Sequence, residues 1–153
     1  MQTEQAISMD DPFQLNRFVE AQEHVFATAL SELRTGRKES HWIWFIFPQS
    51  RALGRSPKAE FYGIASLGEA RAYLAHPILA DRLAQVTDAV LSHRDRSAHD
   101  IFGSPDDLKF RSSMTLFDTA SDHETPRFHT ALERFYSGEP DERTLGLLRG
   151  QIT

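Results

Sequence analysis

The sequence predicts an all-α fold, a compact bundle of about six to eight helices with short connections. Three observations predict it. Four prolines directly follow a helix-capping residue, as Asp11-Pro12, Ser56-Pro57, Ser104-Pro105 and Thr125-Pro126. Proline is favoured at the first helical position, after an N-cap Ser, Thr or Asp. Apolar residues recur at three- and four-residue steps through much of the chain, the spacing of a helix face. No long segment alternates apolar with polar residues, and no Asn-Gly or Asp-Gly pair offers a hairpin turn.

The first helix is expected over residues 12–34. Leu15, Phe18, Val19, Gln22, Phe26, Ala29, Leu30 and Leu33 form one stripe in which only Gln22 is polar, and Gly36 is its stop. Residues 42–47 are all apolar, which fits a buried strand as well as a buried helix. Ser40 before them and Pro48 after them favour a short helix. Ser66-x-x-Glu69 reads as a capping box opening a helix through Tyr73 and Leu74. His76-Pro77, a poorer cap, begins a helix holding Ile78, Leu79, Leu83, Val86, Val90 and Leu91. A short helix follows Ser97 and stops at Gly103. Ser104 is expected to cap the next, over residues 105–119. Asp106 and Asp107 in its first turn complement the helix dipole, and Asp106 pairs with Lys109. Residues 126–136 carry Phe128, Leu132 and Phe135, with Gly138 as stop. Asp141 caps a last helix holding Leu145, Leu147 and Leu148, ended by Gly150. Residues 1–10 are expected as a flexible tail, and residues 11–153 as a single helical domain.

Composition narrows the function classes. The chain has 153 residues, a formal net charge of −5 and no cysteine. A disulfide scaffold, a thiolate zinc site and a cysteine nucleophile are thereby excluded. The longest apolar run is far short of the ~20 residues of a membrane span. The N-terminus lacks a basic region followed by an apolar one, so the expected location is cytoplasmic. The acidity argues against bulk nucleic-acid binding, though not against a local basic patch. Of the 17 basic side chains only Lys38, Lys58 and Lys109 are lysines.

Several blocks are distinctive: SHWIWFIFPQ over residues 40–49, LGRSPKAEFYGI over 53–64, EARAYLAHPILADRL over 69–83, IFGSPDDLKFRSSMTLF over 101–117, and an FY…D…TLGLL ending over 135–148. In this order they resemble the bacterial family named domain of unknown function 1810, sometimes mislabelled calpastatin, across residues 11–148. The resemblance implies an all-helical single domain and supplies no reaction. The chain departs from the family pattern at Ser50, Arg51 and Ala52, where a glycine-leucine-type linker is expected, and at Gly63, where alanine is usual.

Three constellations hold the candidate chemistry. Ser40, His41, Trp42 and Trp44, up to Pro48-Gln49, combine a large apolar wall with few polar handles. Small-ligand pockets are built that way, and aromatic rings stack on nucleobases. The alternative is that both tryptophans anchor the core. His41, at the start of a short apolar segment, changes charge near neutral pH. Second, Arg51, Gly54, Arg55, Ser56 and Lys58 form a wholly basic stretch at a predicted helix start, where amides and dipole favour an anion. It lacks the Gly-Lys-Ser/Thr ending of a Walker loop, and a solvated charged loop is its alternative. Third, Ser112, Ser113 and Thr115 sit in mid-helix among apolar neighbours, so their hydroxyls need partners. They bond back to the preceding turn, or they face a polar pocket with Lys109; the pocket is favoured, because local rules fail most often at functional sites.

Metal ligation has no support: the histidines are scattered and no HExxH pair exists. His76 reads as structural, and His24, His93, His99, His123 and His129 as surface positions. A triad of His41, Asp107 and a serine lacks a Gly-x-Ser-x-Gly elbow and is rejected. The expected function is binding of a small anionic, ring-bearing ligand, a nucleotide or ADP-ribose-like molecule, without a cofactor. Trp42 or Trp44 would stack on the ring. Arg55, Lys58 and the amides after Ser56 would hold phosphate, with Gln49, Lys109, Ser112 and Ser113 lining the pocket. His41 and Asp107 are the candidate acid–base pair for hydrolysis of a glycosidic or phosphoester bond. The alternative is a non-catalytic protein-interaction or structural module.

Overall fold

The computed structural model describes residues 11–152, with side chains through residue 150; the tail expected over residues 1–10 lies outside the described residues. Among the described residues the chain forms ten α-helices: α1 Asn16–Glu23, α2 Phe26–Thr35, α3 Ile43–Ile46, α4 Pro57–Tyr62, α5 Leu67–Ala75, α6 Pro77–Leu91, α7 Ala98–Phe102, α8 Asp106–Ala120, α9 Pro126–Tyr136 and α10 Glu142–Ile152. A 3-10 turn, Arg51–Leu53, lies between α3 and α4. The helical class is as predicted. The count exceeds six to eight because one expected helix is broken and the central segments are short.

The apolar stripe over residues 12–34 is two helices rather than one, interrupted at His24 and Val25. It also starts later than Pro12. The Asp11 carboxylate accepts hydrogen bonds from the amides of Leu15 (2.7 Å) and Asn16 (2.8 Å), so Pro12 stays outside the helix. A tertiary contact accompanies the break. Gln22, the stripe's polar member, is buried and donates from Nε2 to Phe45 O (2.7 Å) and Tyr73 Oη (3.2 Å). That anchors α1 to α3 and α5. Val25, a β-branched residue of modest helix propensity, sits at the interruption. From there α2 packs Ala29, Leu30 and Leu33 toward α6.

Within residues 42–47 the chain is helical over Ile43–Ile46, but Ser40 does not cap this helix. Its hydroxyl and amide go instead to Glu32, whose carboxylate also accepts from Glu39 N and from Trp42 Nε1. Burial works against the charge on Glu32, yet the bonds from Ser40, Glu39 and Trp42 outweigh it and hold its pKa at about 2.

Most helix starts follow the sequence. Ser56 and Ser66 accept from the amides of Ala59 and Glu69. Ser97 and Asp100 close a reciprocal capping box. Asp141 Oδ2 accepts from Thr144 N (3.0 Å) and from its hydroxyl (2.6 Å). His76 caps better than expected, its Nδ1 accepting from Ile78 N and Leu79 N. Ser104 and Thr125 make no side-chain cap bond. The Ser104–Pro105 peptide is cis, and Pro105 itself takes the cap position. Gly150 does not end the last helix, which runs through Ile152. A solitary glycine costs a helix about 1 kcal/mol and stops it only where the backbone turns left-handed.

Helix α8 is the hub, packing against α9, α5, α7, α10 and α3. Phe110, Met114, Leu116 and Phe117 put apolar groups around its circumference, all fully buried. Trp42, Tyr73, Phe18 and Phe47 complete the aromatic core, with Phe47 edge-on to Phe110 at 4.9 Å. Among the described residues, no helix is long and apolar enough to cross a membrane.

Candidate functional site

The basic loop between α3 and α4 is held by two backbone bonds, Arg51 N to Ile64 O (2.8 Å) and Ile64 N to Gln49 O (2.9 Å). Two glycines permit this. A Cβ on Gly63 would lie 2.4 Å from Arg51 Cα, and one on Gly54 would lie 2.2 Å from Ala59 Cβ. The folded loop sets α4 against α3 and brings Lys58 to Trp44.

Trp44 is half-buried and carries two ammonium groups over its ring. Lys58 Nζ is 4.7 Å and Lys109 Nζ 5.3 Å from the ring centroid. Lys38 Nζ stands 4.8 Å from the Trp42 ring, so every lysine of the chain rests on a tryptophan. Asp106 joins the two sets, 2.9 Å from Lys38 Nζ and 3.8 Å from Lys109 Nζ. Of the two cations over Trp44, Lys109 thus shares its carboxylate with Lys38. The balance is positive, and two like charges over one ring favour an anion between them.

Two hollows meet at this point. A narrow one of about 10 Å³, room for roughly one water, lies between Ile43, Trp44, Gln49, Tyr62 and Lys109. A wider one of about 320 Å³ is lined by Gln49, Leu53, Leu108, Lys109, Ser112 and Arg143, among others. Gln49 and Lys109 border both.

The predicted site residues are therefore partly brought together. Trp44, Gln49, Lys58, Lys109 and Ser112 converge. Trp42 is fully buried, donates to Glu32 and packs on Phe47, a core residue. Arg55 and Ser56 are exposed, and neither lines the two hollows. Ser56 spends its hydroxyl on Ala59 N, and Pro57 has no N–H, so the start of α4 offers an anion little beyond side-chain charge. Ser112 both lines the wider hollow and bonds back to Leu108 O at 3.2 Å. Ser113 is fully buried, and its hydroxyl has no hydrogen-bond partner. His41 is exposed. The Asp107 carboxylate accepts from Leu108 N and lies 3.6 Å from His99 Nδ1, so the imidazole beside it is that of His99. The Asp107 carbonyl accepts from the Tyr136 hydroxyl. Burial, and then the Asp107 charge, push the Tyr136 phenol well above its ordinary value, so it stays a donor.

Sequence reasoning missed Arg143 and Asp141, which α10 and its cap bring across from the far end of the chain. The link is Thr115, whose hydroxyl donates to Arg111 O and accepts from Asp141 N, both 2.9 Å. It also missed Asp118, whose Oδ2 lies 2.8 Å from His123 Nδ1 and 3.8 Å from His129 Nδ1. The two histidines are exposed as expected, but they share a buried carboxylate. The available signal was a charged residue inside a wholly buried helical stretch, which requires a partner. Among the described residues no group of three or more His, Asp or Glu is arranged to hold a metal ion.

A family model described as a protein of unknown function, DUF1810, matches residues 12–148. A crystal structure of the conserved hypothetical protein Rv1873 from Mycobacterium tuberculosis is similar to the chain at a TM-score of 0.88 and 52% sequence identity, over 91% of this chain and 99% of that one. No curated protein matches the chain.

Proposed function

The chain belongs to the DUF1810 family of proteins of unknown function, and from that premise we propose that its Trp44 face binds a small anionic, ring-bearing ligand of nucleotide or ADP-ribose type. One observation carries the reading: the paired ammonium groups of Lys58 and Lys109 over the half-buried Trp44 ring, beside a hollow of about 320 Å³. Lys58 is exposed and mobile enough in its side chain to leave the ring. The ligand's ring then replaces a cation–π contact by stacking, and the freed ammonium closes on phosphate together with Lys109. Arg143 and Gln49 meet the remainder in the wider hollow, and Arg55 approaches from the solvent side. Hydrolysis enters the proposal through Asp107, with His41 or His99 as its imidazole partner.

Tryptophan fluorescence tests the binding. In a Trp42→Phe variant, Trp44 is the only indole, and ADP-ribose is expected to quench it saturably. Lys109→Ala and Lys58→Ala are each expected to weaken binding by about tenfold, ~1.4 kcal/mol. No saturable change with ADP-ribose, ATP or ribose 5-phosphate sinks the reading, and product analysis of the same mixtures tests hydrolysis. A protein-interaction module is the second reading, favoured by Leu108, which stands 56% exposed at the rim of the hollow.

A further inference from the structure

Where α8 gives way to α9, Asp118, His123 and, at 3.8 Å from the same carboxylate, His129 meet, three side chains that the Trp44 face does not use. Asp118, in the last turn of α8, is only 4% exposed. Its Oδ2 holds His123 Nδ1 at 2.8 Å, while its Oδ1 is buried without a partner. The His123 ring is otherwise open to solvent. The backbone fixes it as well: His123 N donates to Asp118 O at 2.9 Å, and Asp122 and His123 both adopt left-handed backbone, with φ of 55° and 62°. Such a conformation is strained for a residue with a side chain. Locking a turn accounts for the Asp118–His123 bond. It does not account for the hollow of about 300 Å³ that the pair borders, walled by Thr115, Thr119, His129, Leu132, Pro140 and Leu145. That volume is at the lower end of small-ligand sites.

A buried carboxylate that holds one nitrogen of an imidazole fixes its tautomer and stabilises the imidazolium form. With Nδ1–H donating to Asp118, the lone pair is on His123 Nε2. We propose that His123 is the general base of a second, hydrolytic site in this hollow, acting on a small neutral carboxylic ester, with Asp118 as its positioning residue. The substrate class follows from the walls. Among the described residues no lysine or arginine lines the hollow, and Asp118 is a buried negative charge, so an anion is disfavoured. Leu132, Pro140 and Leu145 take a short acyl chain. In the step, Nε2 accepts a proton from water as the water oxygen bonds to the ester carbonyl carbon. The tetrahedral intermediate then breaks its bond to the alkoxy oxygen, which takes that proton back from Nε2. A carboxylic acid and an alcohol leave, and the neutral imidazole is restored. This site is independent of the Trp44 face.

The test is hydrolysis of 4-nitrophenyl butyrate by the whole chain. His123→Gln is expected to lose about a hundredfold in rate, while His24→Gln, an exposed histidine elsewhere, keeps it. Asp118→Asn, checked for folding by circular dichroism, is expected to lower kcat and to displace the pH profile. Leu145→Phe, which fills the hollow without touching the dyad, is expected to raise KM at unchanged kcat. The rate is expected to fall in deuterium oxide. A wild-type rate no greater than that of equimolar free imidazole overturns the proposal. So does a His123→Gln variant as active as wild type, or equal rates in the two waters.

Discussion

Glu32 shows how one side chain fixes a segment that has little structure of its own. Its carboxylate accepts four hydrogen bonds, from Glu39 N, Ser40 N, Ser40 Oγ and Trp42 Nε1. The chain from α2 to α3 is also held by Lys38 N donating to Ile101 O (2.7 Å), and Trp42 enters the core with its indole N–H satisfied. The pKa near 2 has a thermodynamic consequence. The folded value lies below the unfolded one of 4.5, so the stabilisation is fully present above pH 4.5 and is lost as pH falls toward 2. Urea unfolding of the wild type at a series of pH values is expected to show a midpoint falling across that window. Glu32→Gln is expected to be less stable by about 1–3 kcal/mol at pH 7, with the gap closing at low pH. A gap that stays constant down to pH 2 counts against this account. Ser113 and Thr87 are the opposite case, buried hydroxyls without a hydrogen-bond partner, and nothing in the fold explains either.

At the scale of the element, the segment between α3 and α5 depends on close backbone approach. Gly63 lies where a Cβ would meet Arg51 Cα at 2.4 Å, a backbone atom that cannot swing aside as a flexible side chain does. Its φ is −66°, so the requirement is space rather than a left-handed conformation. Gly63→Ala is expected to displace the 3-10 turn, separate Arg51 from Ile64 and move α4 with Lys58 away from Trp44. Faster amide exchange at Arg51 and Ile64, together with a changed Trp44 fluorescence, is the measurable outcome. Unchanged exchange at both amides would remove the steric argument. The last helix rests on a different device. Asp141 caps it while its own amide donates to Thr115, so α10 is tied to the hub α8 at its first turn. The same tie brings Arg143 to the hollow.

For the whole molecule, Arg17 is the widest clamp. Its guanidinium donates to the carbonyls of Phe13, Gln14, Phe61 and Gly63, pairs with Glu69 at 2.7 Å and lies 4.3 Å over the Phe18 ring. Both members of the ion pair are largely buried, with side chains 9% and 3% exposed. Removing one partner leaves the other charge uncompensated, a loss of about 3–5 kcal/mol. Arg17→Met is therefore expected to lower the thermal midpoint of the whole protein in a single transition. A local loosening of the segment around residue 61 with an unchanged midpoint contradicts that. The sequence by itself determined the helical class, the starts at Ser56, Ser66, Pro77, Ser97 and Asp141, and the family, because caps, prolines and apolar periodicity act over a turn or two of chain. Only tertiary structure decided the rest. The Gln22 bonds to α3 and α5 accompany a break in a stripe that periodicity reads as continuous. Burial made Trp42 core and left Trp44 half-open, although the two stand in one apolar run. Arg143, like the pairing of Asp118 with His123 and His129, depends on how separate helices and turns pack around α8, and contacts of that kind leave no periodic trace in a single sequence.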